Sequence, residues 1–252
     1  MTQQQATEST LVPFGSTVVK GRFERRYKRF FVDVVLEATA SAPARRITAH
    51  TPNTGSMKGL LEEGAPVLLT HDPSPQRKLE YTLQAIRVGT TWVGTNTMVP
   101  NRLAEITILG HHLDPLAGYA SCRREVPYGA ERSRIDLLLE GHVAGRPRCF
   151  VEVKNVTLRE GAVALFPDAV STRGTKHLHE LARQVQLGDA AAMVYVVQRT
   201  DCTAMAPAGH IDPAYAAALR EAASRGVMLT AVEASVDEEG VRFSRILPVH
   251  LE

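Results

Sequence analysis

Cysteine is scarce. The chain has three, Cys122, Cys149 and Cys202, in 252 residues. They are odd in number, far apart and never in a C-x-x-C pair, which argues against a disulfide scaffold and a structural zinc site. Buried or idle thiols in a reducing compartment are the ordinary reading. Long apolar runs are also missing. None approaches the ~20 residues that a membrane-spanning helix needs, so no membrane partner is expected. The N-terminus, M-T-Q-Q-Q-A-T-E-S-T, lacks the basic-then-apolar order of a secretion signal. Residues 1–10 read as a short disordered tail on a cytoplasmic protein. Net charge is small, +2 at pH 7, so overall balance identifies no partner and only local clusters inform.

What is present is enough chain for one large or two modest domains. Thr17–Val19, Phe30–Leu36, Arg46–Ala49, Pro66–Thr70 and Glu80–Arg87 are short runs rich in β-branched or aromatic residues. Turn-rich pieces separate them, a spacing that predicts a small barrel of OB-like size. The most charged stretch lies inside it: Lys20, Arg22, Arg25, Arg26, Lys28 and Arg29, opposed only by Glu24 and interleaved with Phe23, Tyr27, Phe30 and Phe31. Cations neutralise phosphates and aromatic faces stack on bases, which suits nucleic acid. A solvated edge strand with inward aromatics accounts for the same residues. Asp33, just beyond, reads as structural. His50–Met57 is a tight loop by its Pro52, Asn53 and Gly55. Asn53 and neighbouring N–H groups could also contact a phosphate.

The segment Ser133–Asn155 organises the rest. Two apolar runs, S-R-I-D-L-L-L-E and C-F-V-E-V-K-N, flank a turn containing Gly141, Gly145 and Pro147, which predicts a β-hairpin. Strand residues alternate faces, so Glu152 and Lys154 share one while Val151 and Val153 point into a core. Asp136 on the first run can sit beside Glu152 if the register allows. Two carboxylates can hold Mg²⁺, a hard ion that keeps several waters. Such an ion makes water a usable nucleophile, and Lys154 could stabilise charge growing on a phosphoryl group. The spacing Asp, gap, Glu-x-Lys resembles the PD-(D/E)XK nuclease superfamily. A strand with surface charges of both signs fits it as well. Glu125, upstream of the hairpin, is a further candidate ligand or base, or a surface partner of Arg123 or Arg134.

A domain boundary falls near Gly89, where the period changes. Thr97 or Asn96 can cap a helix with Pro100 in its first turn, facing Leu103, Ile106 and Leu109 or Gly110 inward. Thr172 can cap a second helix ended by Gly188. Leu178, Leu181, Ala182 and Val185 form its apolar stripe and Arg173, His177, Glu180 and Gln184 a polar one. Arg173 and Lys176, near its positive end, suit a phosphate. Ala190–Gln198 and Val227–Ala234 read as buried strands around an alanine-rich helix, Pro213–Arg225, and Val241–Ile246 as an edge strand. Strands alternating with helices imply an at least partly parallel sheet.

Several segments, in order, carry a closer resemblance: R-Y-K-R-F-F-V-D-V, H-T-P-N-T-G-S-M, V-G-T-N-T-x-x-P-N-R-L, Y-G-x-x-x-S-R-I-D-L-L-L, V-E-V-K-N-V-T-L and F-P-D-A-V-S-T-R-G-T-K-H-L-x-E-L. From about Leu11 to Val232 the chain resembles the sugar fermentation stimulation protein family. Thr51 stands where that family usually carries cysteine. The resemblance implies an OB-like barrel at residues 11–88 and, at residues 89–252, a three-layer α/β restriction-endonuclease-like domain with a mixed sheet. It implies metal ligands at Asp136 and Glu152, joined by the Val153 carbonyl, a catalytic Lys154 and an assisting Glu125. The expected cofactor is Mg²⁺ or Mn²⁺. The expected partner is DNA, or RNA, held mostly through phosphates by Arg22, Arg25, Arg26, Lys28, Arg29, Asn53, Arg173 and Lys176. The expected function is phosphodiester hydrolysis with little sequence specificity. The alternative is a non-catalytic DNA-binding regulator of sugar-utilisation genes built on the same fold.

Overall fold

The computed structural model describes residues 10–129 and 133–252. The expected tail, apart from Thr10, lies outside them. The first sheet comprises β2 (Thr17–Tyr27), β3 (Phe31–Leu36), β4 (Arg45–His50), β5 (Pro66–His71), β6 (Tyr81–Val88) and β7 (Thr91–Gly94), preceded in the chain by β1 (Leu11–Pro13). Its order is β4-β3-β2-β5-β6-β7, and a β4–β6 pairing at His50 and Thr82 closes it into the OB-like barrel. Phe23, Val32, Val34, Val67, Leu69 and Leu83 fill its interior, the inward half of each alternating run.

The basic run lies on β2, which pairs with β3 on one side and β5 on the other. The pairing with β5 ends at Arg22, so Lys20 and Arg22 lie on an inner stretch, while Arg25 and Arg26 sit where β2 is laddered to β3 alone. A register shift between Phe23 and Arg25 resets the alternation there. Asp33 is the structural residue expected of it. Its carboxylate accepts from Arg25 Nε at 2.8 Å and from the Thr48 hydroxyl at 2.8 Å.

The second domain begins with helix α1 (Val99–Leu109), then β8 (Ser121–Tyr128), β9 (Ser133–Glu140), β10 (Cys149–Val156), β11 (Leu158–Glu160), β12 (Val163–Phe166), helix α2 (Thr172–Gln186), β13 (Ala190–Val197), β14 (Ala204–Pro207), helix α3 (Pro213–Ser224), β15 (Met228–Val236) and β16 (Gly240–Leu247). The main sheet runs β1-β16-β15-β13-β10-β9-β8. β10, β13 and β15 are parallel neighbours, and the flanking pairs are antiparallel. Helices cover both faces, so the central strands are apolar on both. Leu103 and Ile108 of α1 pack with Leu137, Val151 and Val194 on one face. Leu178 and Leu181 of α2 and Leu219 of α3 pack with Leu138, Phe150 and Met193 on the other. This is the expected three-layer arrangement with a mixed sheet.

Several details differ from expectation. Leu11–Pro13 pairs with β16, so it is the outer strand of the second domain's sheet, and β16 is an inner one. Thr91–Gly94 pairs with β6 and belongs to the barrel, so Gly89 is a hairpin turn and not a boundary. In α1 it is Ile108 that is buried, while Leu109 is exposed. The cap of α2 is Ser171, whose Oγ accepts from Gly174 N–H at 3.1 Å. Leu68 and Ala85 of the barrel join the α1-side core, so the two domains share apolar packing. The three thiols are free, with Cys149 and Cys202 buried. Among the described residues, no helix is long and apolar enough to cross a membrane.

Candidate active site

β10 sits mid-sheet between β13 and β9. Its pairing with β9 matches Cys149 with Leu139, Phe150 with Leu138 and Val151 with Leu137, and ends there. One step on, a side chain replaces the backbone acceptor. Asp136 Oδ2 accepts from Val153 N–H at 2.7 Å. Its other oxygen accepts from Asn101 Nδ2 on α1 at 3.0 Å. Two donors thus fix the carboxylate where the strands part.

Glu152 is buried, at 3 % exposure. Its Oε1 accepts from Lys154 Nζ at 2.5 Å and from His177 Nδ1 on α2. Arg173 Nε donates to the other ring nitrogen, His177 Nε2, at 3.3 Å. A guanidinium can only donate, so Nε2 accepts at that contact, and Nδ1 faces Glu152. A chain of contacts runs Arg173, His177, Glu152, Lys154. Glu152 Oε2 is buried and has no hydrogen-bond partner among the described residues, an unusual state for a polar atom.

The electrostatics separate the two carboxyls. Burial, with the nearby Glu152 charge, pushes Asp136 up to about 6. Burial also pushes Glu152 upward, but Lys154 and His177 outweigh it and hold Glu152 below its ordinary value. Divergent carboxyls in one cleft are a mark of functional sites.

Asp136, Glu152, Val153 and Lys154 line one cavity of about 620 Å³. Asn101, Arg173 and His177 line it as well, and so do Asn53, Thr54 and Gly55 of the barrel. The barrel loop is held in place from both sides. Asn53 Oδ1 accepts from Gly55 N–H at 2.8 Å, closing an Asx turn. Across the domain junction, Asp168 accepts from Ser56 Oγ at 2.7 Å and from Met57 N–H at 3.1 Å. Thr97 Oγ1 donates to the Pro52 carbonyl at 3.2 Å. Thr51, buried beneath the loop, accepts weakly from Asn53 N–H at 3.4 Å.

Among the residues expected to bind metal or nucleic acid, the structure gathers Asp136, Glu152, Val153, Lys154, Asn53 and Arg173 at this cavity. Glu125 is not among its lining residues. It is exposed on the outermost strand β8 with a left-handed φ of 54°, and that backbone turn sends its side chain to solvent. Lys176, half-buried on α2, also lies off the cavity lining. None of Arg22, Arg25, Arg26, Lys28 and Arg29 lines it. Arg26 is a brace for the loop: its guanidinium donates to the carbonyls of Asn53, Gly55 and Arg29 at 2.7, 2.8 and 2.9 Å. Arg25 pairs with Asp33, and Arg22 lies 3.6 Å from Glu37. Lys28 and Arg29 are exposed at the β2–β3 turn.

Sequence reasoning did not assign roles to Asn101, Asp168 or Phe166, all on the cavity wall. It placed His177 on a polar stripe without its Glu152 contact. The signal available for His177 was the i, i+4 spacing from Arg173, which stacks both on one helix face. His177, Glu180 and Gln184 of that stripe are buried, so it turns inward over most of its length, while Arg173 at its start is exposed.

Comparison with known proteins agrees with this architecture. A family model described as the SfsA N-terminal OB domain matches residues 25–95, and one described as the sugar fermentation stimulation protein RE domain matches residues 98–240. A sugar fermentation stimulation protein homolog of Rhodospirillum rubrum is 48% identical over 247 residues, covering 94% of this chain and 98% of its own. One from a Geobacter species is 49% identical over 232 residues, covering 92% and 96%. The structure of Pyrococcus furiosus SfsA in complex with Ca²⁺ matches with a TM-score of 0.82 at 27% identity, over 95% of this chain and 98% of that one.

Proposed function

The chain belongs to the sugar fermentation stimulation protein family, and we propose that it is a divalent-metal-dependent nuclease hydrolysing phosphodiester bonds with little sequence specificity. The observation that carries the reading is a buried carboxylate oxygen, Glu152 Oε2, with no donor, in the same cavity as Asp136. A cation is the partner that such an oxygen wants. The donor set is hard and anionic. Among the described residues no group of three or more His, Cys, Asp or Glu could hold a metal, so an ion here would have one or two carboxylates and several waters as its ligands. The residues therefore suit Mg²⁺ or Mn²⁺. The P. furiosus relative is described in complex with Ca²⁺, another hard, oxygen-seeking ion.

Asp136, Glu152 and the Val153 carbonyl would hold the ion. When bound, it would polarise a phosphoryl oxygen and ease ionisation of a water. The protein's own groups do the rest. Asn101 and Val153 N–H aim Asp136, and His177 aims Glu152. Lys154 supplies a fixed positive charge for the pentavalent phosphorus that forms as water attacks. Arg173, at the positive end of α2, holds a neighbouring phosphate. DNA or RNA phosphates that extend beyond the cavity meet Lys28 and Arg29. Three free thiols are in keeping with a reducing cytoplasm.

The test is incubation of the purified protein with DNA and with RNA, in Mg²⁺ or Mn²⁺, beside Asp136→Asn and Lys154→Ala. Cleavage by wild type and its loss in both variants is expected. Equal cleavage by all three would mean a contaminant. Binding without cleavage would leave the non-catalytic regulator as the reading.

A further inference from the structure

We propose that the cavity receives an unpaired nucleotide, so that the substrate is single-stranded nucleic acid or a frayed end and not the interior of a duplex. The inference deepens the nuclease reading and rests on it for cleavage, but strand preference in binding stands apart. Two independent observations carry it.

The first is depth. The Glu152 and His177 side chains are 4% and 5% exposed, and the Asp136 carboxylate is bound on both oxygens by protein donors. They share the cavity with residues of both domains, Asn53–Gly55 of the barrel and Arg173 of α2. The barrel wall cannot swing aside freely, because Asp168 latches it from the second domain and Arg26 braces it from the first. Duplex DNA is stiff over about 150 base pairs and would rest on such a rim. A single strand can thread it, because its nucleotides turn independently.

The second is lining chemistry. A site that touched only duplex phosphates would need donors and a cation. This cavity also contains Phe166 and the apolar Leu158 and Leu165. The half-buried Phe166 ring meets Tyr215 edge-on at 5.2 Å and Tyr195 at a tilt at 5.8 Å between centroids, contacts that hold it in place at the cavity. Every base has a face that can stack on such a ring, whatever its sequence. The geometry assigns the base to Phe166 and its phosphate to the Lys154 side.

The experiment compares a short single strand with a duplex of the same sequence closed by hairpins at both ends. Binding is read by fluorescence anisotropy in EDTA and cleavage in Mg²⁺, for wild type, Phe166→Leu and Phe166→Trp. Wild type should prefer the single strand in both assays. Phe166→Leu should raise its Kd about tenfold and leave duplex binding unchanged, and Phe166→Trp should restore it. Should Phe166→Leu fail to fold, 5-iodouracil in the single strand should crosslink to Phe166 in wild type. Equal cleavage of the closed duplex overturns the inference and leaves the nuclease reading standing. Single-strand preference with the Phe166 effect, but no cleavage of either, supports the inference and removes the nuclease. Equal loss for both nucleic acids in Phe166→Leu, absence of the crosslink, or binding to neither, overturns it.

Discussion

Two charged regions of this molecule look alike in sequence and differ in kind. The basic run on β2 is dense in charge, yet Arg25 and Arg22 face carboxylates and Arg26 braces loop carbonyls. Lys28 and Arg29 simply meet water. The β9 and β10 strands carry five charged residues, Arg134, Asp136, Glu140, Glu152 and Lys154, and three of them, Asp136, Glu152 and Lys154, converge on one cavity. Surface ion pairs are worth little because water screens them and long side chains lose entropy. A buried pair is costly to assemble and costlier to break. A charge kept out of water needs a reason, and function is one. Counting cations therefore pointed to the barrel, while burial points to the cleft.

The sharpest way to break that comparison is Asp136→Asn. Hydrolysis should fall on the order of 10³-fold or more, measured as initial cleavage rate at saturating Mg²⁺, while the fold is kept. A variant with near-wild-type rate would mean that the cleft is no more functional than the barrel. The next effect is on stability. Lys154→Met leaves Glu152 buried with His177 alone and should cost about 3 kcal/mol, read from urea unfolding in EDTA. The double variant Lys154→Met with Glu152→Gln should recover most of the loss, because no uncompensated charge remains.

pH sharpens the comparison further. Asp136 titrates near 6 in the folded protein, above the ~3.9 of an unfolded aspartate. Between those values the folded state binds more protons than the unfolded one, so stability falls as pH rises from about 4 to 6. The span is on the order of 3 kcal/mol. It should be seen in metal-free wild type and vanish in Asp136→Asn. Glu152 has the opposite sign. Its pKa is held below the ordinary value, so its contribution is present at neutral pH and fades as pH falls below about 4.

Much of this was legible in the sequence, and what was not has a common physical cause. Runs of β-branched and aromatic residues located β3, β4, β5 and β6 to within a residue, while β2 runs on to Tyr27, eight residues past the expected Val19, because its charged outward positions hide the strand, and β7 was not read as barrel at all. The Asp136, Glu152 and Lys154 set was legible because hairpin neighbours are close in both chain and space. Asn101 meets Asp136 across 35 residues, and Ser56 meets Asp168 across 112. Such contacts are set by how elements pack, and no local pattern records them. Glu125 was misread for a related reason: a left-handed φ on a non-glycine residue cannot be seen in strand periodicity. Leu11–Pro13 looked like barrel because it precedes the barrel, yet its partner β16 is at the far end of the chain.

The smallest expected effect tests the barrel's own side of the contrast. Lys28→Ala and Arg29→Ala remove exposed cations at the turn. Each should flatten the slope of log K against log salt for oligonucleotide binding by roughly 0.7–0.9, one counterion's worth. Arg25→Gln should flatten it by less, because Asp33 already engages that guanidinium at 2.8 Å, and the urea midpoint should stay put in all three. If Arg25 moved the slope as far as Lys28 does, its pairing with Asp33 would be no constraint in solution. The β2 run would then regain standing as a continuous phosphate track, with the cleft as the place to which that track leads.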